Sequence, residues 1–197
     1  MNTTDRRAFL FGLSALPLAA AMAPRGAEAG LLKFRLLPEA SSVAFSFKLA
    51  GIRRTGKMPI RTAEIDIDRG DPQYSTVDVT VDAARASTRL PFVAEAMRSF
   101  SVLNVDQFPT IHFVSTRVRP GPSGILAGGG EIDGDLTMRG ITRPVTFGVK
   151  VGPATKGDQM AMQLIGDLSR SAFGASGFSE LVGDKIQLDV MATLVPG

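Results

Sequence analysis

Ile186-Gln187-Leu188-Asp189-Val190-Met191-Ala192-Thr193-Leu194 places Ile186, Leu188, Val190, Ala192 and Leu194 on one face of an extended chain. Gln187, Asp189, Met191 and Thr193 take the other. Period two is the period of a strand, because successive Cβ atoms point to opposite sides. The same alternation recurs upstream. Val43, Phe45, Phe47 and Leu49 oppose Ala44, Ser46 and Lys48, and Ile65 and Ile67 sit among Glu64, Asp66 and Asp68. Val77, Val79 and Val81 oppose Asp78, Thr80 and Asp82, while Val145, Phe147, Val149 and Val151 oppose Thr146, Gly148 and Lys150. Such patterning predicts an all-β antiparallel sheet with one apolar and one solvated face.

About eight strands must protect their edges, which a closed barrel or a two-sheet sandwich does. A barrel lined by valine, isoleucine, leucine and phenylalanine is either filled by its own side chains or holds an apolar ligand. Periodicity leaves both open. Arg69-Gly70-Asp71-Pro72 and Pro120-Gly121-Pro122-Ser123-Gly124 end strands. Arg139-Gly140-Ile141-Thr142-Arg143-Pro144 reads as the link from a strand ending near Met138 to one starting at Val145. Gly128-Gly129-Gly130 precedes a strand rather than a helix, so it reads as a bulge or bend and not as a phosphate cradle. Pro91 suits the first position of a helix over 91–99, with Phe92, Ala96 and Met97 on one face. A short helical turn is expected after Arg170. Nothing repeats, and no linker divides the chain.

Residues 1–29 read as a cleaved twin-arginine signal peptide. Thr4-Asp5-Arg6-Arg7-Ala8-Phe9-Leu10 forms the n-region, an apolar run follows over 11–22, and Ala27-Glu28-Ala29 is the cleavage site. The run falls short of the ~20 residues of a membrane span, and Pro17 and Pro24 interrupt it. An anchor helix is the competing reading. Cleavage would leave 30–197 as one domain, exported folded to a periplasm or the cell exterior. It would also lower the net charge from +3 to +2, since Arg6, Arg7 and Arg25 leave with Asp5 and Glu28.

Nearly balanced charge, with no basic stretch interleaved with aromatics, argues against a nucleic-acid partner. The absence of cysteine excludes disulfides, thiolate metal sites and a cysteine nucleophile. His112 is the single histidine, so neither a metal site nor a cofactor is expected. A hydrolase would have to start from His112, with Ser115 and Thr116 nearby, but no nucleophile elbow is present. In a strand His112 opposes Ile111 and Phe113, and so faces away from an apolar interior. The expectation is a protein that is not an enzyme.

Three further stretches carry a family resemblance. Arg98-Ser99 and then Val105-Asp106-Gln107-Phe108-Pro109-Thr110-Ile111-His112-Phe113-Val114-Ser115-Thr116 resemble the aromatic-Pro-x-Ile-x-Phe-x-Ser stretch of YceI-like proteins. Gly134-Asp135-Leu136-Thr137-Met138-Arg139-Gly140-Ile141-Thr142-Arg143-Pro144-Val145 resembles their Gly-x-Leu-Thr-x-x-Gly-x-Thr-x-x-Val hairpin. Arg170 with Phe173-Gly174, followed by Val182-Gly183-Asp184, matches a third landmark, and Ser42-Val43-x-Phe45 fits the first long strand. The resemblance spans almost all of 30–197 in order. It implies an extended antiparallel lipocalin-like β-barrel with a short helix capping one end. It also implies a periplasmic role with a polyisoprenoid lipid such as an isoprenoid quinone or a prenyl phosphate.

This chain departs from the family's polar landmarks. Leu37 and Ala40 stand where an aspartate and a histidine are common, and Leu49 stands where another histidine is usual. Val93-Ala94-Glu95-Ala96 replaces an Arg-Asp-x-His pattern, and Ala172 replaces an aspartate. Arg53, Arg54, Arg89, Arg98 and Arg170 remain to meet a polar head; solvated surface charge is the alternative for the first four, and a structural ion pair for Arg170. The expected ligand contacts are Phe45, Phe47, Leu49, Phe92, Met97, Phe108, Ile111, Phe113, Leu136, Met138, Phe147, Arg170 and Phe173, with Val43 and Val145 on the same faces. The expected partner is a polyisoprenoid lipid or quinone; transient membrane contact and a homodimer stand open beside it. The alternative function is an accessory protein of a membrane redox or stress-response system, with a packed barrel.

Overall fold

Alternation becomes eleven strands among the described residues, which in this computed structural model are 31–68, 71–123, 129–152 and 159–197. The segment read as a signal peptide lies outside them, as do Arg69, Gly70, Gly124 and Gly128 of the turn motifs. In chain order the strands are β1 (Leu31–Leu36), β2 (Ser42–Leu49), β3 (Ile52–Met58), β4 (Ile60–Asp68), β5 (Thr76–Asp82) and β6 (Ser87–Thr88). One helix, α1 (Pro91–Arg98), precedes β7 (Thr110–Pro120), β8 (Gly130–Met138), β9 (Ile141–Val151), β10 (Met160–Ser169) and β11 (Lys185–Pro196).

The sheet runs β1-β4-β5-β7-β8-β9-β10-β11, every neighbour antiparallel, and β11 pairs again with β1. Eight strands therefore close into a barrel. Closure joins Phe34 to Pro196 and Leu36 to Leu194. β11 is long enough to carry a second partner on that edge: Gln187 to Met191 pair with Ser46 to Ser42 of β2. The β2–β3 hairpin, extended by β6, thus rises as an arm above the point of closure.

Two hairpins turn in two residues. Ala50 and Gly51 (φ 49° and 79°) join β2 to β3, and Arg139 and Gly140 (φ 53° and 73°) join β8 to β9. Paired positive φ values match the right-handed twist of the flanking strands. The second turn corrects the expectation that β9 begins at Val145. The strand starts at Ile141, opposite Met138, and Pro144 lies within the ladder opposite Asp135. Gly129 (φ 68°) bends the chain into β8, as a bend was expected there. The expected turn after Arg170 is a single 3-10 turn over Ser171–Phe173.

Packing differs between the two ends. At the lower end Leu194, Ile132 and Val118 are almost wholly buried and fill the barrel. Above them the phenylalanines take over. Phe113 and Phe147 meet edge to face at 5.2 Å, a favoured aromatic geometry. Three rings also lie over glycines of neighbouring strands: Phe45 over Gly56, Phe113 over Gly134 and Phe147 over Gly166. A Cβ at any of these glycines would sit 2.2–2.6 Å from the ring.

Candidate functional site

Above that packed floor the barrel encloses a cavity of about 380 Å³, within the ~300–1,000 Å³ range of ligand pockets. Apart from Arg170, its lining residues are apolar or glycine. The strand walls supply Phe45, Phe47 and Leu49 from β2, Ile111 and Phe113 from β7, Leu136 and Met138 from β8, and Phe147 from β9. Val43 joins them. Alternation explains this directly, because these positions are the inward face of each strand.

The helix caps the upper end. Phe92, Val93, Ala96 and Met97 all line the cavity, a spacing that keeps them on one side of α1. The helix is anchored at its far end, where Arg98 Nη1 donates to the Ala86 carbonyl at 3.1 Å.

A loop over 171–184 forms the rest of the lid, contributing Ala175, Gly177, Phe178, Leu181 and Val182 to the lining. Arg170 holds this loop. It is only 5% exposed. Its Nη1 donates to the carbonyls of Ala175 and Gly177, its Nη2 to Val182, and its Nε to Gly183. The Arg170 side chain is therefore turned toward backbone carbonyls rather than toward a carboxylate. Asp184 closes the same loop by accepting from the Ser171 backbone N–H at 2.8 Å. The Ser169 hydroxyl, the Ser171 groups and the Arg170 charge together hold its carboxyl below the usual value, against a smaller opposing effect of burial.

Lining residues that remain exposed mark the mouth: Phe92 at 66%, Phe178 at 50% and Leu181 at 55%. Two more exposed apolar residues neighbour rim positions: Ile52 pairs with the lining residue Leu49, and Phe100 precedes Ser101, which is hydrogen-bonded to Gly177. Backbone hydrogen bonds tie the rim together, from Ala50 N–H to Leu181 O at 2.7 Å and from Gly177 N–H to Ser101 O at 2.8 Å. Phe178 itself holds a left-handed φ of 57°, uncommon for a bulky residue.

Two expected contacts lie elsewhere. Phe108 packs against the β8–β9 turn, its ring 3.0 Å from where a Cβ of Gly140 would stand, outside the cavity. Phe173 is 2% exposed and belongs to the solid core under the lid. Val145, on the expected face, is also absent from the lining. His112 points outward, as adjacency to Ile111 and Phe113 requires, and meets Asp78 at 2.7 Å on the solvated face.

Sequence reasoning missed Met58, Met162, Leu164, Phe178 and Leu181. The inward face of β3 is Ile52, Arg54, Gly56 and Met58, in which an arginine and a glycine hide the period. In β10 the pair Ile165-Gly166 blurs it. The loop residues carry no periodic signal at all.

A family model described as the YceI-like domain matches residues 34–194. The UPF0312 protein of Ectopseudomonas mendocina (strain ymp) is 33% identical over 87 residues, 44% of each chain. Protein YceI of Escherichia coli O17:K52:H18 is 31% identical over 84 residues, 43% of this chain and 41% of the relative. The matches thus span less than half the length of these relatives. Among solved structures, Burkholderia cenocepacia BcnA superposes with a TM-score of 0.71 at 18% identity, covering 80% of this chain and 98% of that one. A polyisoprenoid binding domain from Saccharophagus degradans, implicated in plant cell wall breakdown, gives 0.61 at 12% identity and 85% and 100% coverage.

Proposed function

This chain belongs to the YceI-like domain family, and on that premise we propose that its barrel binds a polyisoprenoid-type lipid, an isoprenoid quinone or a prenyl phosphate, in the cavity beneath α1. The observation that carries the reading is a large apolar cavity above a solid floor. The polyisoprenoid binding domain from Saccharophagus degradans, which shares the fold, lends support. A prenyl chain offers apolar surface and little else, and burying ~400 Å² of it at ~25 cal/mol per Å² is worth ~10 kcal/mol before the costs of association. Rings and thioethers from phenylalanine and methionine adapt well to methyl-branched shapes. No catalytic group is needed, and His112 stands outside the cavity. A wholly packed accessory barrel fits this interior less well.

The proposed setting is the periplasm or cell exterior, reached folded through the twin-arginine signal of residues 1–29. The apolar rim of the mouth supports lipid exchange at a membrane surface. Native mass spectrometry of protein recovered from the periplasm tests the binding. The expected result is a co-purifying apolar lipid, and a Phe47→Asp variant that carries none, since a charge inside an apolar cavity costs several kcal/mol. Repeated recovery of bare protein that also fails to take up added geranylgeraniol, geranylgeranoic acid and geranylgeranyl monophosphate overturns the proposal.

A further inference from the structure

Of the arginines around the cavity, Arg170 is engaged by four carbonyls, whereas the Arg54 side chain has no hydrogen bond or ion pair among the described residues. Its position is set by register. Arg54 lies directly opposite Phe47 in the β2–β3 hairpin, and directly opposed residues project to the same face. Phe47 lines the cavity, and Gly56, two residues on, lies beneath the Phe45 ring. The inward face of β3 therefore carries Arg54 just above the lining. Its neighbour Arg53 faces outward, donating to Ser46 Oγ and to Gln187 Oε1. Arg54 is only partly exposed, and its Nε is buried with no partner. Leaving a buried N–H unpaired is costly, so its retention beside an apolar cavity needs a reason.

We propose that Arg54 is the head-group site of this barrel and that the bound lipid ends in an oxyanion of the phosphate class. The inference rests on the reading of the cavity as a holder of prenyl chains, and it chooses between the two head groups that reading allows. A guanidinium presents a planar fork that matches phosphate oxygens, while a neutral quinone ring offers it only single carbonyls. With the tail below, beside Phe47, an anionic head at the mouth would come within reach of Arg54, which its register with Phe47 turns inward. The Nε would then gain the acceptor it lacks.

Three probes share one tail: geranylgeraniol, geranylgeranoic acid and geranylgeranyl monophosphate. Titrated into wild-type protein without membranes, the phosphate and the acid should bind at least about tenfold tighter than the alcohol, as a charge-assisted hydrogen bond supplies. In Arg54→Gln the three affinities should converge on that of the alcohol, Arg54→Lys should restore part of the gap, and added salt should narrow it in wild type. The melting temperature of ligand-free Arg54→Gln should equal or exceed that of wild type. Equal affinities in wild type, or a gap that survives Arg54→Gln, overturns the head-group assignment while leaving the cavity reading intact. Failure of all three probes to bind wild type overturns both.

Discussion

Arg170 shows how far a single residue can be read from sequence. Its place beside Phe173-Gly174 marks it as a landmark, and both a ligand contact and a structural ion pair suit an arginine there. What it does is decided by the carbonyls of Ala175, Gly177, Val182 and Gly183. Backbone acceptors leave no trace in residue identity, so this role is legible only in three dimensions. A buried guanidinium so held is hard to replace. Arg170→Met should destabilise the protein by about 3–5 kcal/mol, measured by urea unfolding, because four carbonyls lose their donor together. It should also speed ligand release, since the loop it holds carries Phe178 and Leu181. His112 illustrates the opposite case: strand adjacency alone placed it on the outer face, where it meets Asp78.

Among the elements, the strands with clean alternation were legible and those with mixed inner faces were not. β2 buries Val43, Phe45 and Phe47 in strict alternation, β11 alternates apolar with mostly polar residues from Ile186 to Leu194, and Pro91 announced α1. β3 and β10 interrupt their inward rows with Arg54, Gly56 and Gly166, which look like breaks in a strand. Their reason is packing: Gly56 and Gly166 make room for phenylalanine rings. Gly134 does the same on β8, where a Cβ would lie 2.4 Å from Phe113 and 2.5 Å from the Val114 carbonyl. Gly134→Ala should therefore cost about 1–3 kcal/mol in urea unfolding, the usual penalty of overpacking. It should also weaken prenol binding, because Phe113 lines the cavity and a shift of its ring alters the wall.

Viewed as one molecule, the barrel divides into a solid floor and a hollow upper part, a division that periodicity cannot reveal because both are built from the same inward faces. Met138→Phe separates them experimentally. In a hollow region it should leave thermal stability unchanged and reduce geranylgeraniol binding; a fall in melting temperature would mean the site is packed core. The rim makes a further prediction. Wild-type protein should co-sediment with vesicles of phosphatidylethanolamine and phosphatidylglycerol, and Ile52→Glu/Phe100→Glu should not, with prenol binding in solution preserved. A wild-type dimer that this double change dissociates would instead assign the rim to self-association. The seam between β1 and β11 has a kinetic consequence. It joins residues 34–36 to residues 194–196, contacts of very high sequence separation, and such contacts slow folding because the intervening loop must close first. While a ribosome is still adding β11, the wall has no final strand and the proposed lipid would have no chamber to enter. On the proposed function, loading therefore has to follow the making and docking of β11, and a chain truncated before β11 should lose ligand retention altogether rather than by degrees.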